Sequence, residues 1–345
     1  MNYRIKELPE DFIVKEIPSK TFNKVNGKYL IYKLKKVSRN TEDCIQFLSK
    51  SLHIQRKHIG FAGTKDRNAI TEQFISVINK NNKTRIENFK KAENFSLEFI
   101  GYLDSPLSLG DLKGNNFEII IKNVDDKKEV EKPYFTINYF DDQRFSKLNK
   151  EIGKAIIKKD FKQAVEFLTK QNQLNKEAIE TFKEDYIRMI RTIPLKILKL
   201  FIHSYQSYLF NEICKKIIKE EKYLYKEVDY SQGKLFFLSE EPNNYKLPLL
   251  GFGSEIVEHQ IIINEILDDE KINLRDFIIK PIPELSSFGA ERNFITKVND
   301  FESEKQGENL KINFDLPKGS YATIVVKKIM IKHTVLKWAD FENKK

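Results

Sequence analysis

The segment of residues 60–73, with the sequence GFAGTKDRNAITEQ, combines the residue types that could carry out chemistry. Its two glycines allow sharp backbone turns and the close approach of a ligand. Asp66 stands between Lys65 and Arg67, and two neighbouring cations favour the ionised form of a carboxyl group. A charged aspartate could act as a nucleophile or as a base on a sugar or a base ring. The same residues also suit an ordinary turn, so the segment alone leaves both interpretations open.

Two other kinds of site fit this segment poorly. A phosphate-binding P-loop has a glycine directly before its lysine and Ser or Thr directly after it. Here Thr64 precedes Lys65 and Asp66 follows it, and a carboxylate at that position repels phosphate. A metal-dependent nuclease needs a carboxylate cluster or a histidine pair, and Glu72 is the one acid near Asp66. The histidines and the two cysteines do not show zinc-ligand spacing, so we expect no metal site.

The composition points to a polyanionic partner. The chain has 345 residues, 40% of them hydrophobic, with a net charge of +10 and a pI near 9.1. Such an excess of positive charge attracts nucleic acid, although an AT-rich genome, which inflates Lys, Asn and Ile, could also produce it. The length favours two domains. The N-terminus lacks the apolar core of a secretion signal and no run is long enough to span a membrane, so we expect a cytoplasmic protein.

The elements that must position Asp66 are predicted from hydrophobic periodicity. Thr41 is the expected N-cap of a helix whose apolar face carries Ile45, Leu48 and Leu52. A brief strand at residues 59–61 runs into the Asp66 loop. Further strands are predicted at residues 12–14, 29–34, 71–78, 95–103, 117–122 and 323–326.

The middle of the chain has the period of helices. Apolar residues recur at helical spacing from Ile152 to Leu168. Further helical regions are predicted at residues 176–190 and 197–219, separated by Pro194. Strand-rich ends therefore flank a helix-rich middle. This order predicts an α+β fold in which a sheet-based domain is interrupted by an inserted helical domain.

Six blocks of the sequence, in order along the chain, resemble the TruD family of tRNA pseudouridine synthases. They are Lys6 with residues 9–16 (PEDFIVKE), residues 61–73, residues 107–117, residues 138–145 (NYFDDQRF), residues 204–211 (SYQSYLFN) and residues 314–323 (FDLPKGSYAT). The chain departs from the family at Ser108, where an arginine is frequent, and at Ser146, where a glycine is frequent. The departure at Ser108 puts one phosphate contact in doubt, and neither departure affects Asp66.

The resemblance implies an isomerisation of uridine to pseudouridine in tRNA, with uridine 13 as the expected target. In this reaction the base is detached from ribose, turned, and rejoined through its C5 atom, so no cofactor is expected. By the resemblance Asp66 is the catalytic carboxylate, acting as a nucleophile or as a base at the sugar. The target base has to leave its stack to be reached. Phe117 is the candidate to stack on it, or else a core residue that begins a strand.

Four further substrate-binding residues follow from the same resemblance, each with a simpler alternative. Asn115 would bond near the uracil or the Asp66 loop, or else be a turn residue. Lys6 would lie beside Asp66 and keep it ionised, or else be a surface lysine. Glu16 would support this cluster, or else be a glutamate at a strand edge. Arg67 would contact a phosphate or Glu72.

The resemblance also fixes the expected organisation. A pseudouridine synthase-type catalytic domain with a mixed sheet is expected at residues 1–145 and 296–345, with an inserted, mainly helical TRUD domain at residues 146–295. Lysines of the insertion are expected to hold the tRNA, and the protein is expected to be a monomer. A non-catalytic RNA-binding protein with the same fold is the alternative, and the intact GTKD loop argues against it.

Overall fold

The computed structural model describes residues 3–80, 82–87, 89, 92–124, 130–146 and 148–331. The last part of the predicted catalytic range, residues 332–345, lies outside them. The chain forms two compact units. Unit 1 contains Met1–Tyr134 and Lys297–Ala322, and unit 2 contains Phe135–Thr296 and the residues from Thr323 onward. Residues 135–145, which we expected in the catalytic domain, therefore belong to unit 2.

Unit 1 is built on an eight-stranded mixed sheet. Its strands are β1 (Phe12–Pro18), β2 (Tyr29–Val37), β3 (Ile59–Phe61), β4 (Ile70–Ile78), β5 (Phe95–Leu103), β6 (Leu112–Ile121), β13 (Asn299–Gln306) and β14 (Asn309–Pro317). The spatial order is β13-β14-β6-β1-β4-β2-β5, and β3 pairs with β4. The β1–β4 pair is parallel, whereas the other pairs are antiparallel. Two helices, α1 (Thr41–Ser51) and α2 (Asn82–Glu87), complete this unit.

One face of the sheet packs against α1. Alternate residues of a strand point to the same face, so Leu30, Tyr32 and Leu34 of β2 lie together. They form one buried cluster with Cys44 and Leu48, which lie on the apolar face of α1. The predicted N-cap of α1 was wrong by one residue, because Asn40 occupies that position and Thr41 is the first, buried residue of the helix.

A row of paired residues crosses this same face of the sheet. Lys36 of β2 pairs with Thr71 of β4, which pairs with Val14 of β1. Val14 in turn pairs with Phe117 of β6, and Phe117 pairs with Phe314 of β14. Residues that pair directly across strands share a face. Lys36 and Phe117 are therefore three strand spacings apart, roughly 14 Å.

Unit 2 is mainly helical, with short pairs of strands. Its helices are α3 (Asn149–Ile157), α4 (Phe161–Lys170), α5 (Lys176–Phe182), α6 (Tyr186–Arg191), α7 (Leu195–Glu220), α8 (Gln260–Glu270) and α9 (Ala322–Ile329). Its strands pair as β7 (Phe135–Ile137) with β12 (Ile295–Lys297), β8 (Tyr225–Tyr230) with β9 (Gly233–Leu238), and β10 (Lys246–Leu249) with β11 (Ala290–Asn293). The long α7 carries the core of the unit, because 14 of its residues are buried.

The predicted α+β class is confirmed, and one strand prediction was wrong. The helical region predicted at residues 176–190 contains α5 and α6, and Lys183 between them adopts a left-handed backbone conformation with φ of 47°. The strand predicted at residues 323–326 is part of helix α9 instead. Of the helices that the structure describes, none is long and apolar enough to cross a bilayer.

Candidate active site

Asp66 lies in the loop between β3 and β4, with about a quarter of its side chain exposed. Its Oδ2 atom accepts a hydrogen bond from the Nζ atom of Lys6 at 2.7 Å. The same ammonium group lies 3.8 Å from the ring centroid of Phe12, so it also makes a cation–π contact. Lys6 adopts a left-handed backbone conformation with φ of 59°, which is unfavourable for a residue with a side chain. The structure thus brings Lys6 to the carboxylate that the sequence identified.

The backbone of the Asp66 loop is fixed by side chains from three elements. The Nζ atom of Lys36 in β2 donates to the Asp66 carbonyl oxygen at 2.7 Å. The hydroxyl of Thr41 in α1 accepts from the Lys65 backbone N–H at 3.1 Å. The Nε2 atom of Gln73 in β4 donates to the Gly63 carbonyl at 3.0 Å. The same Thr41 hydroxyl donates to Gln73, so these two supports are linked. The loop is therefore preorganised by hydrogen bonds to rigid elements.

Glu16 forms a buried ion pair with Lys65, the residue before Asp66. The side chain of Glu16 is 1% exposed and that of Lys65 is 6% exposed. The second carboxylate oxygen of Glu16 accepts from the Phe74 backbone N–H at 3.3 Å. Breaking a buried pair by removal of one partner leaves an uncompensated charge. The pair therefore ties the Asp66 loop to the middle of β1.

Phe117 is buried within a group of aromatic rings. Its ring stacks on Phe314 at a centroid distance of 5.7 Å and meets the edge of Phe12 at 6.1 Å. Because Phe12 also contacts Lys6, a chain of direct contacts joins Asp66, Lys6, Phe12 and Phe117. We predicted that a strand begins at Phe117. This start was wrong, because β6 begins five residues earlier, at Leu112.

Asn115 lies two residues before Phe117 in β6, so both side chains lie on the same face of the sheet. It pairs with Glu16 in β1, and it is therefore a strand residue and not a turn residue. Its Oδ1 atom is buried and has no hydrogen-bond partner among the described residues. A buried acceptor without a partner is costly in a folded protein and calls for an explanation.

Arg67 follows Asp66 on the exposed side of the loop. Glu72, one of its two predicted partners, forms a salt bridge with Lys35 at 3.2 Å. The guanidinium group of Arg67 forms neither a hydrogen bond nor a salt bridge with any residue that the structure describes. Nor do the described residues contain a group of three His, Cys, Asp or Glu side chains that could hold a metal ion.

Lys36 is the residue of the site that the sequence analysis missed. It is fully buried, and burial lowers the pKa of its ammonium group to about 8. The negative charge of Asp66 acts in the opposite direction and raises this pKa. The signal was present in β2: Leu30, Tyr32 and Leu34 alternate toward the core, and the same period of two places Lys36 on the buried face.

Comparison with known proteins identifies the family. The family model for tRNA pseudouridine synthase D (TruD) matches residues 1–186 and 168–329, which is most of the chain. The chain belongs to the TruD family of tRNA pseudouridine synthases. These enzymes are isomerases, so the predicted family and enzyme class are confirmed.

Individual TruD relatives match over nearly their whole length. The chain is 32% identical to a relative from Thermococcus sibiricus, over 96% of this chain and 95% of the relative. It is 30% identical to the tRNA pseudouridine synthase D of Aquifex aeolicus, over 95% and 98% of the two chains. A crystal structure under the name TruD from Methanosarcina mazei superposes with a TM-score of 0.67 at 26% identity, covering 95% of this chain and 93% of that one.

Proposed function

We propose that this TruD protein converts uridine 13 of tRNA to pseudouridine and that Asp66 is its catalytic carboxylate. The observation that carries the proposal is the Asp66 loop itself. A partly exposed carboxylate is held at 2.7 Å from the Lys6 ammonium group, on a backbone fixed by Lys36, Thr41 and Gln73. Such preorganisation is what direct attack on a bound substrate requires.

The reaction makes two demands on this carboxylate. The bond from C1′ of ribose to N1 of uracil breaks, and a new bond forms from C1′ to C5. The proton on C5 is lost and N1 gains a proton, so the product is an isomer and no electrons are exchanged with a cofactor. Asp66 acts either as a nucleophile at the sugar or as a base that removes a sugar proton. Both roles need the ionised form, which the Lys6 contact favours.

Three of the remaining residues have proposed contacts with the substrate. The face of Phe117 stacks on the flipped uracil after its aromatic neighbours shift, since bases that have left their stack bind aromatic rings. Asn115 offers a buried amide oxygen that has no partner among the described residues, which suits the N–H of a uracil ring. The exposed guanidinium group of Arg67 pairs with a phosphate of the RNA backbone.

Glu16 and Lys6 support the carboxylate, and unit 2 supplies the wider contact with tRNA. Glu16 holds Lys65 beside Asp66 through their buried ion pair. We assign catalysis to residues 1–145 and 296–345 and tRNA binding to the lysines of the insertion at residues 146–295. We further propose that the enzyme is a cytoplasmic monomer. The mass of the purified protein in solution tests its oligomeric state.

Nucleoside analysis of an unmodified tRNA transcript incubated with enzyme tests the function. We expect the wild type to form one pseudouridine per tRNA, with chelator present throughout. Asp66→Asn, which keeps the size and polarity of the side chain, should lower the rate at least 1,000-fold, on the scale of other essential groups. Its dissociation constant for tRNA should stay within about threefold, because a single exposed charge contributes little to binding.

A second transcript tests the position. A tRNA in which cytidine replaces uridine 13 should give no product, while its affinity remains unchanged. Pseudouridine at another position in the first transcript would refute the choice of uridine 13 alone. Undiminished activity of Asp66→Asn would refute the role of Asp66.

A further inference from the structure

Lys36 is a fully buried cation in strand β2. It is 0% exposed, and its ammonium group donates a hydrogen bond to the backbone carbonyl of Asp66 at 2.7 Å. Among the described residues no carboxylate forms a salt bridge with it. Buried lysines are rare unless they are paired, because the loss of hydration is not repaid.

The groups that face this ammonium come from the helix, the sheet and the loop around it. Helix α1 contributes the Cys44 thiol, and strand β4 contributes Thr71, which pairs with Lys36 across the sheet. The loop contributes Asp66, whose charge attracts Lys36, and Lys65, whose charge repels it. Asp66 is thus the one carboxylate among these neighbours. Among these neighbouring groups, Asp66 is therefore the carboxylate on which the positive charge of Lys36 acts.

Fold stability does not account for a charge at this position. Replacing a buried charge by an apolar side chain of similar volume is often neutral or stabilising. Lys36 lies in line with Leu34 and Tyr32, whose apolar side chains fill the same face. A methionine of similar length would continue that core. A buried lysine at this position therefore points to a role in the reaction.

We propose that Lys36 is a positioning residue for the isomerisation, which fixes the Asp66 backbone and stabilises negative charge on its carboxylate at the expense of fold stability. Two ammonium groups then contact Asp66. That of Lys6 contacts the side-chain carboxylate, and that of Lys36 contacts the backbone carbonyl. The inference rests on the proposed catalytic role of Asp66. Electrostatic support by fixed charges in a region of low dielectric constant is a large contribution to catalysis in general.

Lys36→Met tests this role by separating activity from stability. We expect its single-turnover rate to fall at least tenfold, with an unchanged dissociation constant for tRNA. Its melting temperature should equal or exceed that of the wild type, because the unpaired buried charge is gone. Lys36→Gln keeps a hydrogen-bond donor without the charge, so it should lose activity as well. Full activity of Lys36→Gln would overturn the electrostatic part of the proposal.

The pH dependence gives a readout that a structural role would not affect. The folded pKa of Lys36 is about 8, below its ordinary value of 10.5, so the unfolded chain binds more protons between these values. Fold stability should therefore rise with pH in this window, whereas activity should fall as Lys36 loses its charge. Neither trend should be present in Lys36→Met. Parallel loss of melting temperature and rate in Lys36→Met would overturn the proposal.

The two proposals fail in distinguishable ways. If Asp66→Asn is inactive and Lys36→Met is fully active, the inference about Lys36 fails alone. If Asp66→Asn keeps its activity, the proposed function fails, whatever the behaviour of Lys36→Met.

Discussion

Lys6 touches both the carboxylate and the aromatic part of the candidate site. Its ammonium group lies between the Asp66 oxygen and the ring of Phe12, and its backbone has the left-handed conformation that costs about 1 kcal/mol or more. Such strain persists only where the surrounding structure fixes it, and it concentrates at functional sites. Lys6 combines this conformation with the contact to Asp66.

Substitution of Lys6 by methionine should reduce activity far more than stability. The variant removes the charge beside Asp66, so we expect the single-turnover rate to fall at least tenfold. The pair is partly exposed, so the free energy of unfolding should change by no more than about 1 kcal/mol. Single-turnover assays and urea unfolding measure the two effects.

Lys20 offers a matched control for this substitution. It pairs with Asp111 at 2.7 Å, and the two side chains are about as exposed as those of Lys6 and Asp66. Lys20→Met should change stability by a similar amount and leave the rate within twofold. Equal loss of rate in both variants would contradict a specific role for Lys6.

Individual residues of the site differed in how far the sequence could predict them. Asp66 and Lys6 are far apart in sequence, and only the family resemblance joined them. Thr41 was taken for a helix cap because its hydroxyl suits that role, whereas it bonds Lys65 and Gln73. Such contacts depend on tertiary packing, which no local pattern encodes.

At the scale of elements, Gly114 permits the close approach of β6 and β14. A Cβ atom at this position would lie 2.1 Å from the Leu316 carbonyl oxygen, far inside contact distance. The strand that carries Asn115 and Phe117 therefore depends on the absence of a side chain here.

Gly114→Ala should destabilise the fold, because the added methyl group has to push two backbones apart. We expect the free energy of unfolding to drop by about 2 kcal/mol or more. Gly63→Ala is the matched control in the Asp66 loop, since its Cβ would meet no atom within 4 Å. Its unfolding midpoint in urea should stay close to that of the wild type. Equal midpoints for both variants would contradict this account.

Helix α9 shows how packing overrides local propensity. The β-branched run TIVV at residues 323–326 favours a strand in isolation. In the fold Val325 and Ile329 are one helical turn apart and both are buried, while Lys327 reaches Asp141 and Asp142. The apolar residues thus have a helical period that extends beyond the four residues on which the prediction relied.

At the scale of the whole molecule, the net charge of +10 should govern the affinity for tRNA. Each phosphate neutralised by a lysine or arginine releases counterions, so affinity falls as salt rises. We expect the dissociation constant to increase at least tenfold between 50 and 200 mM KCl, a change that about two or more phosphate contacts would give. Filter binding across this range provides the measurement, and an affinity independent of salt would contradict it.

The sequence predicts an interrupted order of elements, and the structure divides the chain into two compact units. Strand-rich ends and a helix-rich middle follow from periodicity alone. The boundaries between the compact units, however, lie after Tyr134 and before Lys297. The residues from Thr323 onward belong to unit 2. The strand β7 belongs to unit 2 because it pairs with β12, far away in sequence, and such long-range pairing has no local signal.

The position of β14 in the sheet has a consequence for the order of folding during synthesis. Strand β6 ends at Ile121, and its neighbour β14 begins at Asn309, after all of β7–β12 have been made. Strand β6 carries Asn115 and Phe117. The edge of β6 that pairs with β14 therefore stays without its partner strand on the ribosome until β14 emerges. An exposed strand edge invites pairing with other chains. Closing a loop of this length costs little additional entropy, because that cost grows only with the logarithm of loop length. The intervening residues 135–296 thus delay the completion of the unit 1 sheet much more than they destabilise the finished fold.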